Sequence, residues 1–221
     1  MCPDIKAQAY FWLSELSLLC QSLWDLVKSM LLLRSNGPCV TIFGSARLGE
    51  EEPVYDIARQ LGRSLSRAGF TVMTGGGPGL MEAANRGARE SGGRSLGCRM
   101  EFSFEEKHNT YLDKSSTVRH LFVRKVMLCR YSLGFVVLPG GFGTLDELFE
   151  MLTLIKTKKM PQKPVILLGE AFWRPLLSLM DEMMAAGTIS LADRMLIMAT
   201  DDISRVLAEL AQWEKCQEML L

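Results

Sequence analysis

Residues 138–150, LPGGFGTLDELFE, carry the end of an apolar strand through a glycine turn and straight into a helix. Upstream, FVVL at 135–138 is a short continuous apolar run, the mark of a strand buried on both faces. Downstream, LDELFEMLTLIK repeats its apolar residues at helical spacing. A strand, a glycine turn and a helix in this order form the repeating unit of an α/β fold. The junction has two readings. Thr144 followed three residues later by Glu147 fits a capping box, in which the two side chains satisfy backbone amides reciprocally, and the tetrapeptide by itself favours that reading. The other reading is a phosphate cradle with a catalytic carboxylate beside it.

The same unit recurs along the chain. CVTIF at 39–43, FTVMT at 70–74, SLGC at 95–98 and PVILL at 164–168 are further strand candidates. They alternate with helical stretches beginning near residues 54, 79, 120, 144, 172 and 201. Such alternation predicts a Rossmann-like, doubly wound parallel sheet with helices on both faces. This domain is expected over residues 37–221, preceded by an N-terminal helical extension over 1–36. The extension is strongly apolar, but Glu15, Asp25 and Lys28 interrupt it and no basic start precedes a cleavage site, so neither a membrane span nor a signal peptide is expected. An amphipathic helix packing on the domain or on a partner fits better.

Composition narrows the chemistry. Lys plus Arg and Asp plus Glu each number 25, so no basic excess points to nucleic acid or an anionic membrane. Six cysteines lie scattered without a CxxC pair and two histidines are too few for an ordinary zinc site, so no metal centre is expected and reduced, intracellular thiols are. Any anion must be bound locally, and in a doubly wound sheet ligands bind where the βα turns converge.

Three turns carry the small residues that close approach requires: FGSAR at 43–47, TGGGPG at 74–79 and PGGFGT at 139–144. Gly140, Gly141, Gly143 and Thr144 open a helix whose unpaired amides and dipole favour a phosphate. Gly75, Gly76, Gly77 and Gly79 form a second version. Neither is a Walker A loop or a strict GxGxxG fingerprint, which sets aside a nucleoside triphosphate and NAD as first choices. On the helix before the 135–138 strand, Arg124 and Lys125 sit among Val123, Val126 and Met127, with little polar company. Their expected partners are an anion or a carboxylate.

In combination, GGGPGLMEAANRGA, FVRK and PGGFGTLDE resemble the Lonely Guy (LOG) family of nucleoside 5′-monophosphate phosphoribohydrolases, long labelled lysine decarboxylase-like. The PGGxGTxxE hallmark is matched by Pro139, Gly140, Gly141, Gly143, Thr144 and Glu147, and the resemblance spans about residues 38–200. It implies hydrolysis of the N-glycosidic bond of cytokinin riboside 5′-monophosphates or AMP, giving free base and ribose 5-phosphate. Arg124 and Glu147 fall on the family's catalytic positions. Lys125 completes the basic pair, and the PGGFGT loop takes the 5′-phosphate. Ser45 and Glu82 are secondary candidates for substrate contact. The implied reaction needs no cofactor, and the implied state is a cytoplasmic homodimer with sites near the subunit interface. Phe142, Leu148, Phe149, Leu152 and Leu154 are available for that interface, although core packing is the simpler use for most of them.

Pyridoxal chemistry needs a Schiff-base lysine in a setting that Lys125 lacks, so decarboxylation is disfavoured. The competing class is a non-enzymatic carrier or sensor of a phosphorylated ligand, such as molybdenum cofactor. A carrier has no need of an Arg124 and Glu147 pair. Continuing GLMEAAN after the triple glycine departs from plant-type members, so a wider nucleotide range than cytokinins is expected.

Overall fold

Seven parallel strands form the centre of the molecule: β1 (Cys39–Phe43), β2 (Thr71–Thr74), β3 (Ser95–Met100), β4 (Lys114–Val118), β5 (Gly134–Val137), β6 (Val165–Leu168) and β7 (Ile197–Thr200). Their order across the sheet is β4-β3-β2-β1-β5-β6-β7. The computed structural model describes residues 5–34, 36–101 and 109–219. Helices α1 (Ile5–Leu33), α2 (Pro53–Arg67), α3 (Leu80–Glu90), α4 (Leu121–Arg130), α5 (Phe142–Lys156), α6 (Glu170–Ala185), α7 (Leu191–Arg194) and α8 (Ile203–Glu218) complete the described architecture.

Side-chain alternation along the strands divides the core into two layers. Val40, Ile42, Val72, Val136 and Ile166 pack with residues of α2, α3 and α8 on one face. Cys39, Phe43, Met73, Phe135 and Val165 pack with residues of α4, α5 and α6 on the other. This is the Rossmann-like, doubly wound arrangement that strand-helix alternation predicts. Cys2 lies outside the described residues; Cys20, Cys39, Cys98, Cys129 and Cys216 are free thiols.

Two strands escape the sequence pattern. β4, KSSTV, is a polar edge strand with only Ser116 and Val118 buried, so its composition reads as loop. β7, IMAT, is four residues long in a stretch without alternation. The polar edge at β4 is covered by α1. Ser29 Oγ and Ser116 Oγ share a buried 2.6 Å hydrogen bond. The Arg119 backbone amide donates to Asp25 Oδ2 at 2.9 Å, and Arg119 Nη1 donates to Oδ1 at 3.1 Å. Among the described residues, Trp12–Leu33 of α1 is long and apolar enough by length and composition to cross a membrane. Asp25 and Ser29 within it are nevertheless engaged with the domain.

Candidate active site

Chain order reverses direction between β1 and β5, the neighbours at the middle of the sheet. Parallel strands there send their following helices to opposite faces, which leaves a crevice beyond their carboxyl ends. A cavity of about 580 Å³ lies there, bordered by the turns after β1, β2 and β5 and by the ends of β3 and α4. Backbone hydrogen bonds tie three of these segments together through one residue. Ser45 N donates to Pro139 O at 3.0 Å, and Leu80 N donates to Ser45 O at 2.9 Å.

The capping-box reading of Thr144 and Glu147 is overturned. Helix α5 starts two residues before Thr144, its N-cap is Gly141, and no side chain caps it. Thr144 and Glu147 therefore lie inside the first two turns, both buried and both lining the cavity. The open amide end of α5 at Gly141 and Gly143 also borders the cavity, with empty space where either would carry a Cβ. That is the geometry of an anion site at a helix N-terminus.

Glu147 is only 5% exposed, and its Oε2 has no hydrogen-bond partner. Burial lifts its pKa from 4.5 to about 7, against the opposing influence of the Arg124 guanidinium. Arg124 lines the same cavity, and its own buried Nε is likewise unpartnered. Neither residue has an ion-pair partner among the described residues. A carboxyl group balanced between its two states beside an unspent cation, both in one cleft, is an arrangement suited to proton transfer next to a charged substrate.

Gly75 shows why a residue without a side chain stands in this turn. A Cβ there would collide with the Arg124 guanidinium at Nη2, so the arginine lies directly against the glycine backbone. Gly140 has the same relation to Thr144, whose hydroxyl and Cβ occupy the space a side chain would need. Gly140 is not among the cavity-lining residues and acts through packing, whereas Gly75, Gly76, Gly77 and Ser45 do line it.

Two candidates sit elsewhere. Lys125 is not among the cavity-lining residues and contacts two carboxylates of α5, the lining residue Asp146 and Glu150, each at 2.9 Å. Burial alone would lower its pKa, but the hydrogen bonds it donates to both carboxylates outweigh that and raise it. The lysine reaches a carboxylate, as its sequence setting suggests, and it borders the cavity only through Asp146. Glu82, in the first turn of α3, is also outside the lining and acts electrostatically on Tyr55.

The cavity contains residues that no motif announced. Arg47 ends the first turn, and Arg99 leaves β3 with its Cγ 2.5 Å from the position a Cβ on Gly76 would take. Met81, Met100 and Leu121 provide apolar wall. Arg99 and Met100 end a strand predicted two residues too short, and neither has a spacing that would mark it. Behind the second turn, Asn85 is fully buried. It accepts from Thr74 Oγ1 at 2.6 Å and from Asn109 Nδ2 at 3.0 Å, and it donates to Ser95 Oγ at 2.8 Å. Thr74 Oγ1 in turn accepts from Gly76 N at 2.9 Å, so the network anchors the triple-glycine turn.

Comparison with known proteins adds three findings. A family model described as "Possible lysine decarboxylase" matches residues 81–210. The chain is 31% identical over 173 residues to a cytokinin riboside 5′-monophosphate phosphoribohydrolase of Rhodococcoides fascians, covering 76% of this chain and 87% of that protein. A protein of the same name from Arabidopsis thaliana is 28% identical over 182 residues, covering 81% and 84%. Among solved structures, the molybdenum cofactor carrier protein of Chlamydomonas reinhardtii superposes with a TM-score of 0.61 at 23% identity, covering 80% of this chain and 98% of that one. The molybdenum cofactor binding protein of Rippkaea orientalis gives 0.55 at 22% identity, covering 83% and 98%. These two likenesses concern the fold.

Proposed function

Because the chain belongs to the Lonely Guy (LOG) family, as its family-model match and its phosphoribohydrolase relatives show, we propose that it hydrolyses the N-glycosidic bond of nucleoside 5′-monophosphates. The observation that carries this reading is Glu147: a buried carboxyl with a pKa of about 7, lining the same cavity as Arg124 and the open end of α5.

The 5′-phosphate sits at the amides of Gly141 and Gly143 and the Thr144 hydroxyl, where the helix dipole favours negative charge. The ribose then lies toward Glu147. As the bond from C1′ to the base nitrogen breaks, positive charge builds on the sugar, and the ionised carboxylate stabilises it. Glu147 takes a proton from the attacking water, whose oxygen bonds to C1′, and returns that proton to the departing nitrogen. The products are free base and ribose 5-phosphate. Arg124 stays protonated throughout and orients the substrate or Glu147 rather than acting as a base. Met81, Met100 and Leu121 give the base an apolar wall that accepts adenine and tolerates a prenyl substituent.

A homodimer forms part of this reading. Of the α5 residues available for an interface, Leu148 and Leu152 are core, while Phe142 is 92% exposed and Phe149 37%. A cytoplasmic location is consistent with the free thiols.

The test is release of free base from AMP and isopentenyladenosine monophosphate, followed by chromatography for the parent and for folded Glu147→Ala. Turnover in the parent and its loss in the variant is the expected result. Nucleotide binding without base release from any monophosphate would reject the enzyme and favour a carrier, the role named for the Chlamydomonas protein.

A further inference from the structure

Helix α1 reverses the usual amphipathic arrangement, in which the apolar face turns inward. Its docked face is Ser22, Asp25, Ser29 and Leu33, all buried, with the serine and aspartate contacts to Ser116 and Arg119 holding it on β4. Leu26 and Leu32 also pack against the core, but most of the described apolar residues point the other way. Trp12, Leu13, Leu19, Leu23, Trp24 and Leu31 are each 63–64% exposed.

These side chains have a definite pattern. Leu13, Leu16, Cys20, Leu23, Val27 and Met30 advance in alternating steps of three and four, the a and d spacing of a helix-helix seam. Trp12 and Leu19 widen it on one side, and Trp24 and Leu31 on the other. At 100° per residue, Glu15 and Asp25 fall on the docked side and Lys28 on the flank, so the charges that interrupt the sequence leave the stripe itself uncharged. Residues 12–20 are exposed around the whole circumference, including Leu18 on the docked side. This half of the helix projects beyond the domain it belongs to. Beside α1, α4 adds exposed Leu121, Phe122 and Val126.

We infer that α1 is a self-association helix, with its Leu13–Met30 seam packing against the same seam of a second copy of this chain. The seam spacing calls for another helix, and nine large side chains, most of them about two-thirds exposed, approach the roughly 800 Å² per partner of a standard interface. A membrane fits less well. A surface-lying helix is rich in Lys and Arg on its polar face, whereas the polar face of α1 carries Ser22, Asp25 and Ser29 and, among the described residues, no Lys or Arg. Insertion of Trp12–Leu33 across a bilayer would break the buried Asp25 and Ser29 contacts. The inference stands apart from the catalytic reading.

Cys20 lies near the middle of the seam and is exposed, so parallel and antiparallel pairing both bring two Cys20 thiols within reach of a short crosslinker. The experiment uses the full chain with Cys2→Ser and Cys216→Ser, measuring mass by sedimentation at micromolar concentration and crosslinking by a short bismaleimide. A dimeric or larger mass with a crosslink that Cys20→Ser abolishes is expected. Leu16→Glu with Leu23→Glu should remove the crosslink and weaken association at least a hundredfold, with an unchanged helical circular dichroism spectrum of the domain. A monomeric parent overturns the inference, as does an oligomer that forms without Cys20 crosslinking and ignores the two glutamates. A monomer that sediments with phosphatidylcholine and phosphatidylglycerol vesicles also overturns it and assigns α1 to a membrane surface. None of these readouts depends on base release.

Discussion

The guanidinium of Arg124 lies against Gly75 in the space where any other residue would place its Cβ. A glycine 49 positions earlier in the chain thus sets the position of Arg124. The backbone of Gly75 is outside the left-handed region, so alanine is conformationally acceptable there and only the arginine and the Met81 sulfur stand in its way. Gly75→Ala should lower kcat/KM by about a hundredfold through misplacement of Arg124, with a small change in stability. The double variant Gly75→Ala/Arg124→Ala should be no worse than Arg124→Ala alone, which a double-mutant cycle checks.

Glu147 must be ionised to accept a proton from water, so kcat/KM should rise with pH through an apparent pKa of about 7. Glu147→Gln should cost roughly 10²–10⁴ in rate and remove this dependence. A pH-independent profile in the parent would take the proton-transfer role from Glu147.

Stability gives the opposite sign. The folded pKa of Glu147, about 7, exceeds the ordinary 4.5, so the folded state holds the proton more tightly. Its contribution is present in full below pH 4.5 and is lost as pH rises through 7. Above that, the buried charge costs on the order of 3 kcal/mol. Glu147→Gln should therefore melt at a higher temperature than the parent at pH 8, with the difference vanishing at pH 4.

Lys125 should separate from the site residues in its kinetics. Its ammonium bridges Asp146 and Glu150, which joins α4 to α5. Lys125→Met is expected to cost about 1–2 kcal/mol, the smaller side of the range because Asp146 remains half in water, and to leave KM within about threefold. A large rise in KM with unchanged melting would restore it to the substrate site.

Asn85 makes its contribution through the second glycine turn. Replacing it with leucine leaves Thr74, Ser95 and Asn109 without their buried partner and should cost about 2–4 kcal/mol by denaturant unfolding. Asn85→Asp, which retains the acceptor but loses the donor to Ser95, should fall between.

Much of this was legible locally. The buried strands CVTIF and FVVL, the glycine turns and their order along the chain determine a doubly wound sheet, and that fold places its ligand at the carboxyl ends of β1 and β5. Thr144 and Glu147 show the limit of local reading. Their spacing is that of a capping box, but the helix begins at Phe142, and burial turns the supposed cap into a carboxyl with a pKa near neutrality. β4 was hidden because a polar edge strand resembles a loop until α1 covers it.

What the sequence by itself determined was periodicity, turn chemistry and therefore the site of the cleft, because those follow from residues adjacent in the chain. Only the tertiary structure decided that Gly75 makes room for Arg124, that Lys125 turns to Asp146 and Glu150, and that α1 faces its apolar stripe outward. Proton affinity, ion pairing and helix orientation depend on which groups from distant parts of the chain exclude water from one another, and that is set by packing.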